Sequence, residues 1–233
     1  MSCKKIILDI LSHYNENELF FASKVFNERL RGSVSETAFY KTLERMTKNK
    51  ELIKVSKGVY SLPLKSKYGV VPISSEEIVK TFTENGSGTV IGYSLYNSLN
   101  ITTQVPKTIN VLSSTVEGHS KNIQNVFIEK VSICFSKEIE RMIHALEVLE
   151  DFNNIEDINY SAFIAFIKEI AEEYDDKVFE DVITAIHYKK STIAFLQEVL
   201  NYFKKENNLY LYLSSFSDYK HPKMEDIYEF TQE

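Results

Sequence analysis

The chain has 233 residues, of which 43% are hydrophobic and 26% are charged, proportions that are ordinary for a globular protein with a substantial core. No apolar run is long enough to cross a bilayer, the N-terminal residues lack the pattern of a signal peptide, and Cys3 and Cys134 have no metal-ligand or redox spacing. These features argue against a membrane protein and a disulfide-rich scaffold, and they predict a protein of the cytoplasm.

The net charge of −6 is divided unevenly along the chain. Residues 1–67 carry 13 Lys and Arg against 7 Asp and Glu, a net charge of +6. Residues 68–233 carry 14 against 26, a net charge of −12. Such a division is typical of a basic segment that binds a polyanion, joined to an acidic segment with another role. Chance clustering of solvated charges is the alternative.

The first segment, residues 1–67, begins with helical patterns at Lys4–Tyr14 and Lys24–Leu30, joined by the polar turn NENELFFAS. Ser33 and Glu36 then have the S-x-x-E spacing of a capping box. In that motif the serine hydroxyl accepts from the amide of the glutamate, which reaches back to the serine amide. The spacing predicts a third helix with Ser33 as its N-cap.

The predicted third helix has one apolar face and leads into a hairpin. Phe39, Leu43 and Met46 lie at i, i+4 and i+7, so we expect them to face the core. The runs LIKVS and VYSLP follow, joined by Lys57 and Gly58, with the glycine at the turn position that needs a positive φ. Three helices and a hairpin in this order predict a winged helix-turn-helix DNA-binding domain.

Two further segments follow. Residues 68–136 predict a small α/β connector, with a second capping box at Ser74 and Glu77 and the strand-like runs KTINVLSS and NVFIEKVSICF. Residues 137–233 predict a helical domain, because four apolar faces recur at helical spacing, and it is acidic, with 10 Lys and Arg against 21 Asp and Glu. The predicted fold class is therefore α+β and mostly helical.

The winged helix-turn-helix hypothesis assigns DNA contacts to the polar face of the third helix and to the hairpin. The N-terminal residues of a recognition helix enter the groove most deeply, so Thr37, Tyr40 and Lys41 are expected nearest the base edges. The expected phosphate contacts are Ser33, Ser35, Arg45, Lys48, Lys54 and Lys57. Glu44 suits this surface only if it pairs with Lys41 or Lys48, or accepts from a cytosine amino group.

The sequence lacks the common motifs of enzymes and of cofactor binding. The chain contains no G-x-x-x-x-G-K-[ST], no G-x-G-x-x-G and no G-x-S-x-G. The histidines lie far from one another and from the cysteines: His13, His119, His144, His187 and His221. We therefore expect no enzymatic activity, no cofactor and no metal ion.

Two motifs carry a resemblance to a known family: KGVYSLP at residues 57–63 and GYSLYNSLNITTQVP at residues 92–106. Over about residues 1–135 the chain resembles the AbiEi family, the antitoxins of type IV abortive-infection toxin–antitoxin systems. The resemblance implies a winged helix that binds inverted repeats in the promoter and represses its own operon. It also implies a C-terminal domain that counteracts a nucleotidyltransferase-like toxin without a lasting complex. Of the family's functional residues, only the DNA-contacting positions above carry over.

The resemblance is weaker in the third segment. Residues 137–233 match only as a helical, variable domain, and their acidity departs from the basic patch of many family members. Two alternatives stay open: a winged-helix transcriptional regulator, or a protein-interaction module unrelated to a toxin. The +6 charge of residues 1–67 favours duplex DNA as the partner of this segment, with no membrane involved.

Overall fold

The computed structural model describes residues 3–231 and is an α+β protein, mostly helical, as the sequence predicts. The contacts divide the chain into two units. The first comprises the described residues up to Thr81 together with Asn122–Val126, and the second comprises Phe82–Lys121 together with the described residues from Phe127 onward. The predicted connector, residues 68–136, therefore contributes to both units.

The first unit contains most of the short strands. Its elements, in chain order, are α1 (Cys3–Leu11), β1 (Leu19–Phe21), α2 (Ala22–Val25), a π-helical turn (Phe26–Leu30), α3 (Glu36–Lys48), β2 (Ile53–Ser56), β3 (Val59–Ser61), β4 (Leu64–Ser66), β5 (Gly69–Val71) and α4 (Ser75–Thr83), which runs into the second unit. The second capping box is confirmed at α4: the Glu77 amide donates to Ser74 Oγ (3.2 Å), and the Ser74 amide donates to Glu77 Oε2 (3.0 Å).

A three-stranded antiparallel sheet of order β1-β3-β2 lies in the first unit. The prediction of a polar turn at NENELFFAS was wrong in part, because Leu19–Phe21 form β1 and pair with β3. Three residues are too few for a visible period-2 pattern, so the strand is defined by its partner. The core beneath α1, α2 and α3 consists of Ile7, Leu11, Phe20, Ala22, Val25, Leu30, Phe39, Leu43, Met46, Leu52 and Tyr60.

The second unit combines a small sheet with helices. Its elements are β6 (Gly88–Ile91), α5 (Tyr93–Ser98), β7 (Ile109–Ser113), β8 (Ser120–Ile123), β9 (Val126–Lys130), α6 (Lys137–Asp151), α7 (Tyr160–Glu173), α8 (Asp176–Ala185), α9 (Lys190–Tyr202) and α10 (Met224–Glu229), with the β8–β9 turn counted in the first unit. The strand order is β6-β7-β9-β8. The strand predicted from KTINVLSS is confirmed as β7, and that predicted from NVFIEKVSICF is confirmed only over Val126–Lys130, as β9.

The helices of the second unit pack around an aromatic centre. The Phe152 ring lies 4.7 Å from that of Phe163 and 5.4 Å from that of Phe195, measured between centroids. All three rings are buried, so removal of their aromatic surface from water contributes to the stability of this unit. Among residues 3–231, no helix combines the length and apolar character that a bilayer span requires.

Candidate nucleic-acid interface

The start of α3 differs from the predicted capping box. The helix begins at Glu36, and its N-cap is Ser35, whose Oγ accepts a hydrogen bond from the Ala38 amide at 3.3 Å. Ser33 is not the cap, because its amide still donates to the Leu30 carbonyl in the turn that closes the preceding helical segment. Ser33 and Val34, the first two residues of the S-x-x-E spacing, therefore belong to that turn, and α3 begins after them.

The inner face of α3 is anchored as the sequence predicts. Phe39, Leu43 and Met46 are at most 1% exposed. The Phe39 ring lies 5.5 Å from the Phe26 ring and 5.2 Å from the Tyr40 ring. Burial of three large side chains fixes the rotation of the helix about its axis. The outer face of α3 is therefore set by the core and not by the polar residues on it.

The outer face of α3 and the β2–β3 hairpin are rich in lysine and arginine. Lys54 lies on β2 and Lys57 in the two-residue turn before β3, and both side chains are exposed. Gly58 completes that turn with φ of 76°, as the sequence predicts. All but one of the nine predicted DNA-contacting side chains are exposed: Ser33, Ser35, Thr37, Lys41, Arg45, Lys48, Lys54 and Lys57. Tyr40 is half-buried and packs beside Phe39.

Glu44 lies within electrostatic range of lysines on both the helix and the hairpin. Its carboxylate pairs with Lys48 Nζ at 2.9 Å, which is one of the two pairings expected from the sequence. The hydrogen bond and charge of Lys48, followed by the charges of Lys54 and Lys41, lower the pKa of Glu44 below its ordinary value. Because Lys54 lies on β2 and the other two lysines on α3, the charges of both elements act on this one carboxylate.

Tyr60 lies beneath this surface, in the buried core of the first unit. Burial raises the pKa of Tyr60 above its ordinary value, and the proximity of Tyr40 and Glu44 raises it further. Tyr60 is the β3 residue that pairs with Lys54 in the sheet register. Residues of α3, β2 and β3 therefore lie within electrostatic range of one another, as one continuous surface requires.

A second polar cluster lies in the second unit, beside a cavity of about 390 Å³. Thr89 Oγ1 lies 2.6 Å from Glu140 Oε1 and 2.7 Å from His144 Nε2. The hydroxyl has one proton, which it donates to the Glu140 carboxylate, so it accepts from the imidazole. The carboxylate faces the hydroxyl and not the other ring nitrogen, so this is not the arrangement of a nucleophile–base–acid triad. Thr89 is also only 2% exposed.

A third cluster is buried on α6. Tyr188 Oη donates to Glu147 Oε1 at 3.0 Å, and Tyr96 Oη lies 3.0 Å from both the Glu147 carbonyl and Asp151 Oδ2. Burial raises the pKa of Glu147 to about 7, and the charge of Asp151 adds to the shift while the Tyr188 hydrogen bond opposes it. The polar side chains of the cluster are hydrogen-bonded to one another, as in a buried network that stabilises a fold. Among residues 3–231, no group of three His, Cys, Asp or Glu side chains is placed to hold a metal ion.

A further group of exposed basic and aromatic side chains, not expected from the sequence, lies on the β4–β5 hairpin. Lys65, Lys67 and Tyr68 are exposed there, and the ring of Tyr68 is 88% accessible. The signal in the sequence was the short run LKSKYGVV, which contains two lysines, a glycine and no acidic residue.

Comparison with known proteins gives a family but no activity. No curated protein matches the chain. A family model described as a family of unknown function, DUF6088, matches residues 7–192, which include α3, both hairpins of the first unit and most of the second unit. Because this match covers most of the chain, the protein belongs to the DUF6088 family.

Proposed function

We propose that the first unit contains a winged helix-turn-helix and that the protein binds duplex DNA as a repressor of its own operon. The order α1, β1, α2, α3, β2, β3 and the sheet order β1-β3-β2 support a winged helix. The observation that carries the proposal is that Glu44 pairs with Lys48 and also lies within electrostatic range of Lys41 on α3 and Lys54 on β2.

On this proposal α3 enters the major groove and the β2–β3 hairpin rests on the sugar–phosphate backbone. Thr37 and Lys41 lie in the first two turns of α3 and reach base edges, whereas Arg45 and Lys57 neutralise phosphates. The Ser35 hydroxyl accepts from the Ala38 amide and still has its proton, which it donates to a phosphate oxygen. Tyr40 is half-buried, so only its outer edge contributes.

Glu44 lowers the affinity of this surface for DNA phosphates. Its negative charge lies among the three lysines and opposes the approach of any phosphate. A carboxylate held at this place weakens binding to DNA of unrelated sequence, while a cytosine amino group in the correct operator compensates for it. The residue that suited the surface least in sequence thus supplies selectivity.

The proposal extends to the role of an antitoxin in a type IV toxin–antitoxin system, in the cytoplasm and without enzymatic activity. Its support is the resemblance of residues 57–63 and 92–106 to the AbiEi family. On this proposal the partner is a nucleotidyltransferase-like toxin, counteracted without a stable complex. The promoter site is an inverted repeat, so two copies of the chain bind each operator.

Titration of the full-length protein against the DNA upstream of its own gene tests the repressor proposal. We expect the logarithm of the binding constant to fall linearly with the logarithm of salt, by about 0.9 for each phosphate contact. Lys57→Ala should weaken binding to every sequence alike, whereas Lys41→Ala should also reduce the preference for the operator. Absence of binding, or binding that does not depend on salt, would reject the proposal.

Co-expression tests the antitoxin proposal separately. If an open reading frame adjacent to the gene encodes a nucleotidyltransferase-like protein, its expression alone should arrest growth. Co-expression of this chain should restore growth, and so should a variant with Lys41→Ala and Lys57→Ala if relief does not depend on DNA binding. A non-toxic neighbour, or toxicity that persists, would remove the antitoxin role and leave the repressor.

A protein-interaction module is the second candidate, favoured by exposed apolar side chains near the C-terminal end of the second unit. Tyr210, Leu211 and Phe216 are 62%, 67% and 99% exposed. Exposed apolar groups in one short segment are typical of protein-binding surfaces. Full-length protein that ignores DNA yet binds the adjacent gene product through this segment would favour the second candidate.

A further inference from the structure

The β4–β5 hairpin forms a separate two-stranded ribbon directly after the β2–β3 hairpin. Its strands pair antiparallel, with Lys65 opposite Val70 and Ser66 opposite Gly69. Leu64 and Val71 are half-buried on one face, while Lys65 and Val70 are exposed on the other. A ribbon of two strands is marginally stable by itself in water, so persistence of this one depends on what its ends and its exposed face contact.

The tip of this hairpin is held by its own hydrogen bonds. Ser66 Oγ accepts from the Tyr68 amide at 3.1 Å and donates to the Gly69 carbonyl at 3.1 Å. Lys67 Nζ lies 4.9 Å from the centroid of the Tyr68 ring, within cation–π range. The two tip side chains are therefore presented in a defined arrangement, which lowers the entropy lost when they bind.

The charges of the hairpin are uncompensated. Residues 64–73 contain two lysines and no acidic residue. Within the part of the chain that the structure describes, neither Lys65 nor Lys67 has an acidic partner, in contrast to Lys48, which pairs with Glu44. A ligand that supplies negative charge at regular intervals would complement both lysines at once.

We propose that the β4–β5 hairpin is a second DNA-contacting element, in which Lys65 and Lys67 neutralise backbone phosphates and the Tyr68 hydroxyl donates to a phosphate oxygen. Lysines and tyrosines are common phosphate contacts, and these contacts position a protein on the duplex without reading its sequence. The inference rests on the proposed DNA binding and extends it, because the hairpin adds affinity and footprint that α3 and the β2–β3 hairpin do not supply.

Salt titrations of full-length variants on the same promoter duplex test this inference. Lys65→Ala combined with Lys67→Ala should lower the slope of log binding constant against log salt by about 1.8, two contacts at about 0.9 each. The matched control is Lys168→Ala combined with Lys177→Ala, which removes two exposed lysines from the second unit. It has the same net charge as the hairpin variant, and its slope should equal that of the wild type.

Substitution of Tyr68 at the tip of the hairpin tests the proposed hydroxyl contact independently of the lysines. Tyr68→Phe should weaken binding as much as Tyr68→Ala if the hydroxyl makes the contact, and the helical circular dichroism should be unchanged in both. The hairpin is 88% accessible at this position, so neither substitution removes buried surface. Tyr68 variants that bind DNA as the wild type does would remove the tyrosine from the contact.

The outcomes separate this inference from the proposed function. Wild-type binding with an unchanged slope in the Lys65 and Lys67 variant overturns the inference and leaves the repressor proposal intact. Wild-type protein that does not bind DNA overturns both. If DNA binding is unchanged but the variant loses binding to poly-L-glutamate, the hairpin is a surface for an acidic protein, and the DNA contact is overturned.

Discussion

At the scale of single residues, the clearest lesson comes from the two serines before α3. Both Ser33 and Ser35 suit an N-cap by residue type, and Ser33 also has Glu36 at the capping-box spacing. The structure selects Ser35, since Ser33 closes the turn after the preceding helical segment. Local motifs thus compete for the same residues, and the competition is decided by where the earlier helix ends.

Substitution of the two serines tests this selection. Ser35→Ala should lower the free energy of unfolding by about 1 kcal/mol, because the Ala38 amide loses its acceptor. Ser33→Ala is the matched control and should change it by less than about 0.5 kcal/mol, as its side chain has no capping role. Chemical denaturation of the two variants gives both values. Equal losses, or a larger loss at Ser33, would restore the capping box predicted from the sequence.

The raised pKa of Glu147 should make the stability of the protein depend on pH. Its pKa in the folded protein is about 7 against an ordinary value of 4.5, so between these values the folded state keeps a proton that the unfolded chain loses. Its contribution to stability should therefore decrease as the pH rises from about 4.5 to 7, by on the order of 3 kcal/mol, and stay constant above. Glu147→Gln should flatten the stability of the second unit across this range, measured by urea unfolding at several pH values. An unchanged pH dependence would contradict the raised pKa.

At the scale of elements, the sheet of the second unit depends on a close approach at Gly88. A Cβ atom added there would lie 2.3 Å from the Leu112 carbonyl oxygen and 2.4 Å from that of Phe82. Both are backbone atoms, Leu112 on β7 and Phe82 on α4, so relief requires that β6 moves away from both β7 and the end of α4. Any side chain larger than that of glycine at position 88 should therefore disturb the pairing of β6 with β7.

Gly88→Ala should destabilise the second unit by about 3 kcal/mol, as overpacking against backbone does. Gly118→Ala is the control in the same unit: its φ of 81° makes alanine unfavourable, but nothing lies within 4 Å of the added Cβ. The control should cost about 1 kcal/mol, the conformational term alone. Thermal unfolding of both variants measures the difference, and a Gly88 variant no less stable than the control would contradict the close approach.

The sequence predicts elements well where an element carries its own periodicity. The buried face of α3 was predictable for this reason, and the turn at Gly58 and the capped start of α4 were predictable from their own turn and capping residues. β1 was not, because a three-residue strand owes its conformation to pairing with β3. That Lys54 lies within electrostatic range of the lysines of α3 followed from the winged-helix hypothesis and not from any local periodicity, since it depends on the relative position of two elements.

At the scale of the whole molecule, the division of charge follows the chain and has a measurable consequence. A cluster of eleven buried residues in the first unit, from Ile7 to Tyr60, lies wholly inside the basic segment 1–67. That segment therefore contains its own hydrophobic core. Its net charge is +6, while the rest of the chain carries −12.

A fragment of residues 1–67 should fold and should bind DNA of unrelated sequence about tenfold more tightly than the full chain at low salt. The acidic remainder repels the polyanion over a Debye length, so the difference should vanish as salt is raised. Fluorescence anisotropy at several salt concentrations measures both proteins, with circular dichroism as a check on the fragment's helices. Equal affinities at low salt would show that the acidic segment has no influence on the basic one.

The first unit is built from two separate stretches of the chain, and this affects the order in which it folds during translation. Its packed cluster from Ile7 to Tyr60 is complete early, but Ser75 hydrogen-bonds to Asn125, 50 residues further along, and Gln124 donates to the Ile73 carbonyl across 51 residues. At ribosomal rates of about 5–20 residues per second, the stretch around Ile73 waits several seconds for these partners. During translation the helix-and-hairpin part of the nascent chain can therefore acquire its shape well before α4 receives its final neighbours.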